Sequence, residues 1–323
     1  RSIDPAPEVV ATVSLALSMA TALLLTDGRI ELIEPIQRRL EAIVRPVAAS
    51  DPIARAYWNL AYPRWEAWIQ ENPWQSLVHA RAAFDAFTEA GSRRGQHLAR
   101  VFIGMNEWLL GQSARASETL RTDIPLEEET AIVASLRSLC RVLALLDMGD
   151  VRLARTEAEQ LVTVARSIGG DADIARGRWA LAEVYRRAGV LGLAEREARA
   201  ALELRGIAPL DEAAARAILA AARLADKRSA EAMLAIRDSA ARYEALGAFG
   251  YRGAFMRIVR VEVLEATGHH GAARELLLEA RNRLLGIAEK IPDLEFRHSY
   301  LQHVPENART LELAQKWFGD MDA

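Results

Sequence analysis

The sequence predicts an all-α fold: a right-handed superhelix of about seven antiparallel helix pairs closed by a C-terminal capping helix. Three observations predict it. Helix-breaking turns recur at Gly28, Asn72, Gly111, Gly149, Gly189, Lys227 and Gly268, at spacings of 44, 39, 38, 40, 38 and 41 residues, a regularity that marks an array of repeated units. Five residues after each turn stand Ile33, Leu77, Ala116, Ala154, Ala194, Ala232 and Ala273, and a mostly alanine position is what close approach of two helix axes selects. No stretch alternates apolar and polar residues with period two, so no sheet is expected.

The first pair is expected over 8–47. Its opening segment, Val9 to Leu25, is uncharged over seventeen residues, the lower edge of a membrane span. Thr12, Ser14, Ser18 and Thr21 interrupt it, Asp4 and Glu8 precede it and Thr26 to Gly28 stop it, so a buried helix is expected instead. It also lacks the basic start and small-residue cleavage site of a secretory signal. Further pairs are expected over 52–91, 96–122, 126–169, 172–206, 210–247 and 250–291. Pro46, Ser50 to Pro52, Asp123 to Pro125, Gly169 to Asp171, Ala208 to Asp211, Gly247 to Gly250 and Ile291 to Asp293 break the chain between them. Seven residues before the turns stand Thr21, Trp65, Gly104, Val142, Ala182, Ala220 and Val261; four before stand Leu24, Trp68, Glu107, Leu145, Tyr185, Arg223 and Leu264. These two sets share one helical face, mostly small or apolar.

The cap is expected over 293–319. Pro305 suits a first helical turn and Glu306 complements the dipole there. Ala308, Leu311, Ala314 and Phe318 form an apolar stripe, with Glu312, Gln315 and Lys316 toward water. Tyr57 to Trp74 carries four of the seven tryptophans. Trp65 and Trp68 fall where units pack, while the burial of Trp58, Tyr62 and Trp74 is left open.

About half of the 323 residues are apolar (51%), and the net charge is −3 with pI near 6.2. That balance favours neither nucleic acid nor a membrane surface as partner. The lone Cys140 excludes an internal disulfide framework and fits a reducing cytoplasm. The chain starts at Arg1-Ser2 without an initiator methionine, so a piece of a longer protein is expected. No catalytic residue, metal site or cofactor is assigned. His298 and His303 are five apart, a poor spacing for two ligands on one helical face, and His269-His270 sit in a turn. Cys140 has hydrophobic neighbours, and Glu127 to Glu129 read as a solvated helix start.

The unit Arg178 to Leu204 carries Ala182, Tyr185, Gly189, Ala194 and Ala201, and with Gly149/Ala154 and Gly268/Ala273 it resembles the tetratricopeptide repeat family, over roughly Val9 to Leu285. The period exceeds that family's usual thirty-four and the closing proline is irregular, which implies longer helices; HEAT-like pairs are the alternative label. The ending VPENARTLELAQKWFG and the run Ala241 to Ala288 resemble the C-terminal arrays of multidomain bacterial eukaryotic-like Ser/Thr protein kinases. That resemblance implies a regulatory arm with an upstream kinase or ATPase domain in the same chain. The kinase's own glycine-rich loop, HRD and DFG elements are absent from this sequence.

Stacked pairs present a concave wall lined by the first helix of each unit. Counting back ten, six, three and two residues from Gly189 gives Trp179, Glu183, Arg186 and Arg187, with Arg176 one turn earlier. The same positions include Tyr62, Glu66 and Gln70 before Asn72, and Ile258, Glu262 and Glu265 before Gly268. An aromatic beside a basic cluster suits an acidic or phosphorylated peptide. The competing reading is solvated helix surface, with Glu183 pairing Arg186 and Arg187. The lysine and asparagine clamp of chaperone-tail-binding members has no counterpart. The expected function is a non-enzymatic scaffold for protein contacts that controls a kinase. The alternative is the effector-sensing arm of a STAND-type ATPase or transcription regulator.

Overall fold

The computed structural model describes residues 29–68, 71–121, 129–245 and 252–319, with isolated positions between 12 and 24; side chains at 30, 40, 62–68, 168 and 241–245 are not described. The Val9 to Leu25 segment, the breaks at 123–125 and 247–250, and the side chains of Tyr62, Trp65, Glu66 and Trp68 therefore lie wholly or largely outside these residues. Among the described residues there are fifteen α-helices and no strand. They are α1 (Ile33–Ala48), α2 (Pro52–Trp68), α3 (Pro73–Glu89), α4 (Arg93–Leu109), α5 (Ser113–Thr119), α6 (Ala131–Asp147), α7 (Val151–Ile168), α8 (Asp171–Arg187), α9 (Leu191–Leu202), α10 (Pro209–Ala225), α11 (Ser229–Ala245), α12 (Gly253–Ala266), α13 (His270–Glu289), α14 (Leu294–Gln302) and α15 (Pro305–Phe318). Each packs on its neighbours in chain order. No described helix is long and apolar enough to cross a membrane.

Local chemistry sets the helix ends. Asn72, Ser92, Asp150 and Asp293 each accept a backbone N–H from the first turn of α3, α4, α7 and α14, satisfying a donor that the helix leaves open. The turns at Gly111, Gly149, Gly189, Lys227 and Gly268 close by one hydrogen-bond pattern, whereas Asn72 is extended at φ −118° as the cap of α3 and the left-handed residue there is Glu71 at 45°. Gly189 N–H donates to the Arg186 carbonyl (3.1 Å) and Val190 N–H to that of Tyr185 (2.9 Å); Lys227 and Arg228 repeat this on Leu224 and Arg223 (3.0 and 2.9 Å). The closure needs a left-handed residue. Glycine supplies it at φ 82° in Gly149 and 76° in Gly189, but Lys227 adopts it at 61° with its Cβ in place.

The seam follows the predicted spacing. Ile33, Leu77, Ala116, Ala154, Ala194, Ala232 and Ala273 are all fully buried, as are Val142, Ala182, Ala220 and Val261 from the facing helices. The cap is turned relative to the expected stripe. Asn307, Thr310, Leu313 and Ala314 are its buried residues, while Ala308, Leu311 and Phe318 are half-buried and Glu312, Gln315 and Lys316 exposed. Leu313 and Ala314 join Ile258, Val261 and Leu277 of the last pair, and the Asn307 amide donates to the Tyr300 carbonyl (2.9 Å). That bond draws the polar Asn307 inward.

The array also closes on itself, which no local pattern announces. Leu77 and Leu110 share a core with Leu284, Ile287, Phe296 and Tyr300. Trp74 meets Phe296 edge-on at 5.3 Å, so half-buried Trp74 is a contact to the C-terminal helices, and Trp58 packs beside Val44 and Ala61. Glu71, before α3, accepts from Arg257 of α12 (3.0 Å) and from Arg283 of α13. At Gly111 a Cβ would stand 2.4 Å from the Ser299 carbonyl of α14; the closure needs a bare backbone there.

Two stability outcomes follow. Lys227→Gly raises the unfolding free energy by about 0.5–1 kcal/mol, since the left-handed strain removed exceeds the extra unfolded-state entropy; a urea melt checks it. Gly149→Ala, which meets nothing within 4 Å, costs about 1 kcal/mol of backbone strain. Gly111→Ala costs about 1–3 kcal/mol more, from the collision with α14; equal midpoints for the two variants contradict the closure.

Candidate functional site

The first helices of three successive pairs put charged and aromatic side chains on the inner wall. Asp147 ends α6, and its carboxylate accepts the Trp108 indole N–H from α4 (2.8 Å) and an Arg187 guanidinium N–H from α8. Glu183, its side chain 2% exposed, accepts two bonds from Arg186, both 2.7 Å. Facing this wall, Arg252 precedes α12. Its Nη2 donates to Glu183 (3.4 Å) and its Nη1 to Glu306 of the cap (3.3 Å), and its guanidinium lies 4.0 Å over the Phe255 ring, which Arg186 also approaches (5.3 Å). The Arg252 side chain is 6% exposed, and its Nε is buried with no hydrogen-bond partner. Trp108, Asp147, Arg252, Phe255, Tyr300 and Glu306 line a cavity of about 70 Å³ at this junction.

The electrostatics are uneven. Burial raises Glu183, but Arg186, then Arg252 and Arg187, pull it down to about 2. Asp147 is pushed up to about 7, first by burial and then by the charge of Glu306, against Arg187, Trp108 and Arg252. Two buried carboxylates thus stand in one charged cluster, one well compensated and one not.

Of the wall residues expected from sequence, Glu183, Arg186 and Arg187 come together in this cluster, though as ion pairs with Arg252 and Asp147 and not as open surface. Trp179 is placed differently. It is fully buried, with its indole N–H on Asp211 (3.0 Å). Val101, Leu139, Ala217 and Ile258, also ten residues before their turns, are buried likewise. The tenth position lies one helical turn from the seam position at seven, so it points into the next pair. Arg176 is a strap, reaching Ser135 of α6 (3.1 Å), Asp173 (2.9 Å) and Asp211 of α10 (3.1 Å). Glu262 accepts from Arg309 of the cap (2.9 Å). Tyr62 and Glu66 fall outside the described side chains. The same counting applied to Gly111 and Gly149 gives Trp108 and Asp147; nothing local marks Arg252. Among the described residues no group of three or more His, Cys, Asp and Glu side chains is placed to hold a metal ion.

No protein-family model and no curated protein matches the sequence. Solved structures do match its fold. A Rap protein complexed with competence and sporulation factor aligns with TM-score 0.58 at 11% identity, over 94% of this chain and 99% of that one. The Rap conjugation gene regulator of the plasmid pLS20, in complex with the Phr* peptide, gives 0.56 at 13%, over 98% and 99%. The apo form of RapI gives 0.50 at 12%, over 80% and 99%. At such identities the likeness shows the fold, a helical-repeat array of the Rap type.

The raised Asp147 value fixes a pH dependence. A folded-state value near 7 against an ordinary 3.8 gives stability that is fully present below about pH 4 and lost as pH rises through 7. We expect the Asp147 carboxyl carbon to titrate near 7 by NMR, and lower in Glu306→Gln. A carboxyl that titrates below pH 5 in both proteins contradicts the lumenal geometry.

Proposed function

We propose that this chain is a non-catalytic helical-repeat scaffold that binds a short peptide segment of a protein partner where α4, α6 and α8 meet Arg252 and the cap, with one carboxyl group of that segment entering the cavity there. The observation that carries the reading is one charged cluster: Trp108, Asp147 and Arg252 line the cavity, and Glu183, Arg186 and Arg187 of α8 are joined to them by hydrogen bonds. Charged forks with an aromatic floor are the groups that select peptide side chains and termini. The peptide held by the pLS20 regulator, on the same fold, supports it. An acidic or phosphorylated segment is the partner we favour, because Arg186, Arg187 and Arg252 gather at this cluster.

We read residues 1–323 as one array of about seven units plus cap. On the resemblance of its last eighty or so residues we further propose that it serves as a cytoplasmic regulatory arm of a bacterial Ser/Thr kinase. The rival effector-sensing reading, with a STAND-type ATPase or transcription regulator, would use a different cavity, of about 340 Å³ and lined by Arg137, Arg141, Glu157 and Asp173, within the roughly 300–1,000 Å³ of small-molecule pockets.

The test is affinity selection from a pool of random synthetic heptapeptides, read by mass spectrometry, on the wild-type chain and on Arg186→Ala/Arg187→Ala. We expect a subset retained by the wild type and reduced at least about tenfold by the double change, the equivalent of one charge-assisted hydrogen bond. Equal retention by both proteins, or none by either, sinks the proposal.

A further inference from the structure

We infer that Arg252 is the anchor of a carboxylate-binding site in the lumen, and that Glu306 of the cap occupies it as an intramolecular pseudo-ligand which an acidic peptide displaces. The inference rests on the peptide-binding reading above and deepens it.

The bonding of Arg252 is incomplete. A guanidinium presents five N–H donors, and a carboxylate is matched best by two parallel bonds of about 2.7–2.9 Å. Arg252 is nine-tenths buried and makes one bond each to Glu183 and Glu306, at 3.4 and 3.3 Å. Its Nε has no acceptor. Leaving a buried charged donor unmet is costly, and Glu183, held by two 2.7 Å bonds from Arg186, accepts from Arg252 only at 3.4 Å. Glu306 is the displaceable holder: each carboxylate meets one nitrogen of Arg252, but Glu183 is fixed by Arg186, whereas Glu306 stands in the field of Asp147, whose carboxylate it disfavours.

The site has both room and access. The cavity beside Arg252 has about 70 Å³, the space of roughly two waters and enough for one carboxyl group. Phe255 beneath the guanidinium and Tyr300 and Trp108 on the walls give it apolar sides. Glu306 sits in the first turn of α15, so its departure needs only that turn to shift while Leu313 and Ala314, further along, stay in the core.

An aspartate or glutamate side chain and a free peptide C-terminus offer the same chemistry, and the experiment separates them. Three random heptapeptide pools are selected on the full chain: one amidated, one amidated and lacking Asp and Glu, and one lacking Asp and Glu with free C-termini. Wild type, Glu306→Gln and Arg252→Lys are compared, with a thermal melt confirming that each is folded. We expect enrichment from the first pool if side chains are the source, or from the third if the terminus is. Retention of those peptides should rise about tenfold in Glu306→Gln and fall by at least as much in Arg252→Lys, which keeps the charge but loses the fork. Should Arg252→Lys fail to fold, Glu306→Gln decides alone. Equal retention from all three pools, or no gain in Glu306→Gln, overturns the pseudo-ligand while leaving peptide binding intact. No retention from any pool overturns both.

Discussion

Everything in this fold depends on how near the two helices of each pair can come. The residue five after every turn is buried without exception, and in five of seven units it is alanine. A methyl group at that contact lets ridges of one helix seat in the grooves of the next at short range. The left-handed turn residue supplies the other half, because its fixed closure sends the second helix back along the first. Alanine, however, buries little apolar area per residue. The larger apolar side chains Leu139, Trp179 and Ile218 supply bulk to the same core, and Trp179 reaches the next pair through Asp211. Short-range approach within pairs and bulk between them give the stack its curvature, and curvature aims the ends of α4, α6 and α8 at a common interior.

This division explains what could be read from the chain alone. Turn positions and seam residues repeat, so the spacing of Gly149, Gly189 and Gly268 identifies them, and even Lys227 declares its role by standing one period from a glycine. Trp179 shows where counting stops working. A tryptophan three residues before a seam position is equally good as wall or as core, and only the partner Asp211, thirty-two residues away, settles which. Trp108 and Asp147 were within reach of the same arithmetic. Arg252 was not, since it precedes its helix and belongs to no repeated position.

Closure of the array was invisible for a different reason. The residues that make it, Glu71, Leu77 and Gly111 on one side and Arg257, Arg283, Phe296 and Ser299 on the other, are separated by about 180 to 220 positions, and such pairings leave no periodic mark. They arise because a curved stack of sufficient length brings its last units back toward its first. The cap therefore has two tasks. It covers Ile258, Val261 and Leu277 as the end of a repeat array requires, and it lends Glu306 to the interior.

Stability alone gives no reason for that interior to be charged. Moving a guanidinium and a carboxylate out of water costs several kcal/mol per ion after relaxation, and well-packed apolar residues of similar volume often serve at least as well. The neighbouring walls show that this chain builds apolar layers readily, with Leu139, Leu143 and Leu146 on α6 all buried. Yet at one level of the lumen it keeps Glu183 and Arg252 almost wholly desolvated and Asp147 and Glu306 close behind, with an orphan donor on Arg252 and two carboxylates in each other's field. An arrangement optimised for the closed state would pair that donor and separate those carboxylates. One in which a bond is held in reserve for an incoming group leaves the imbalance that the cluster displays.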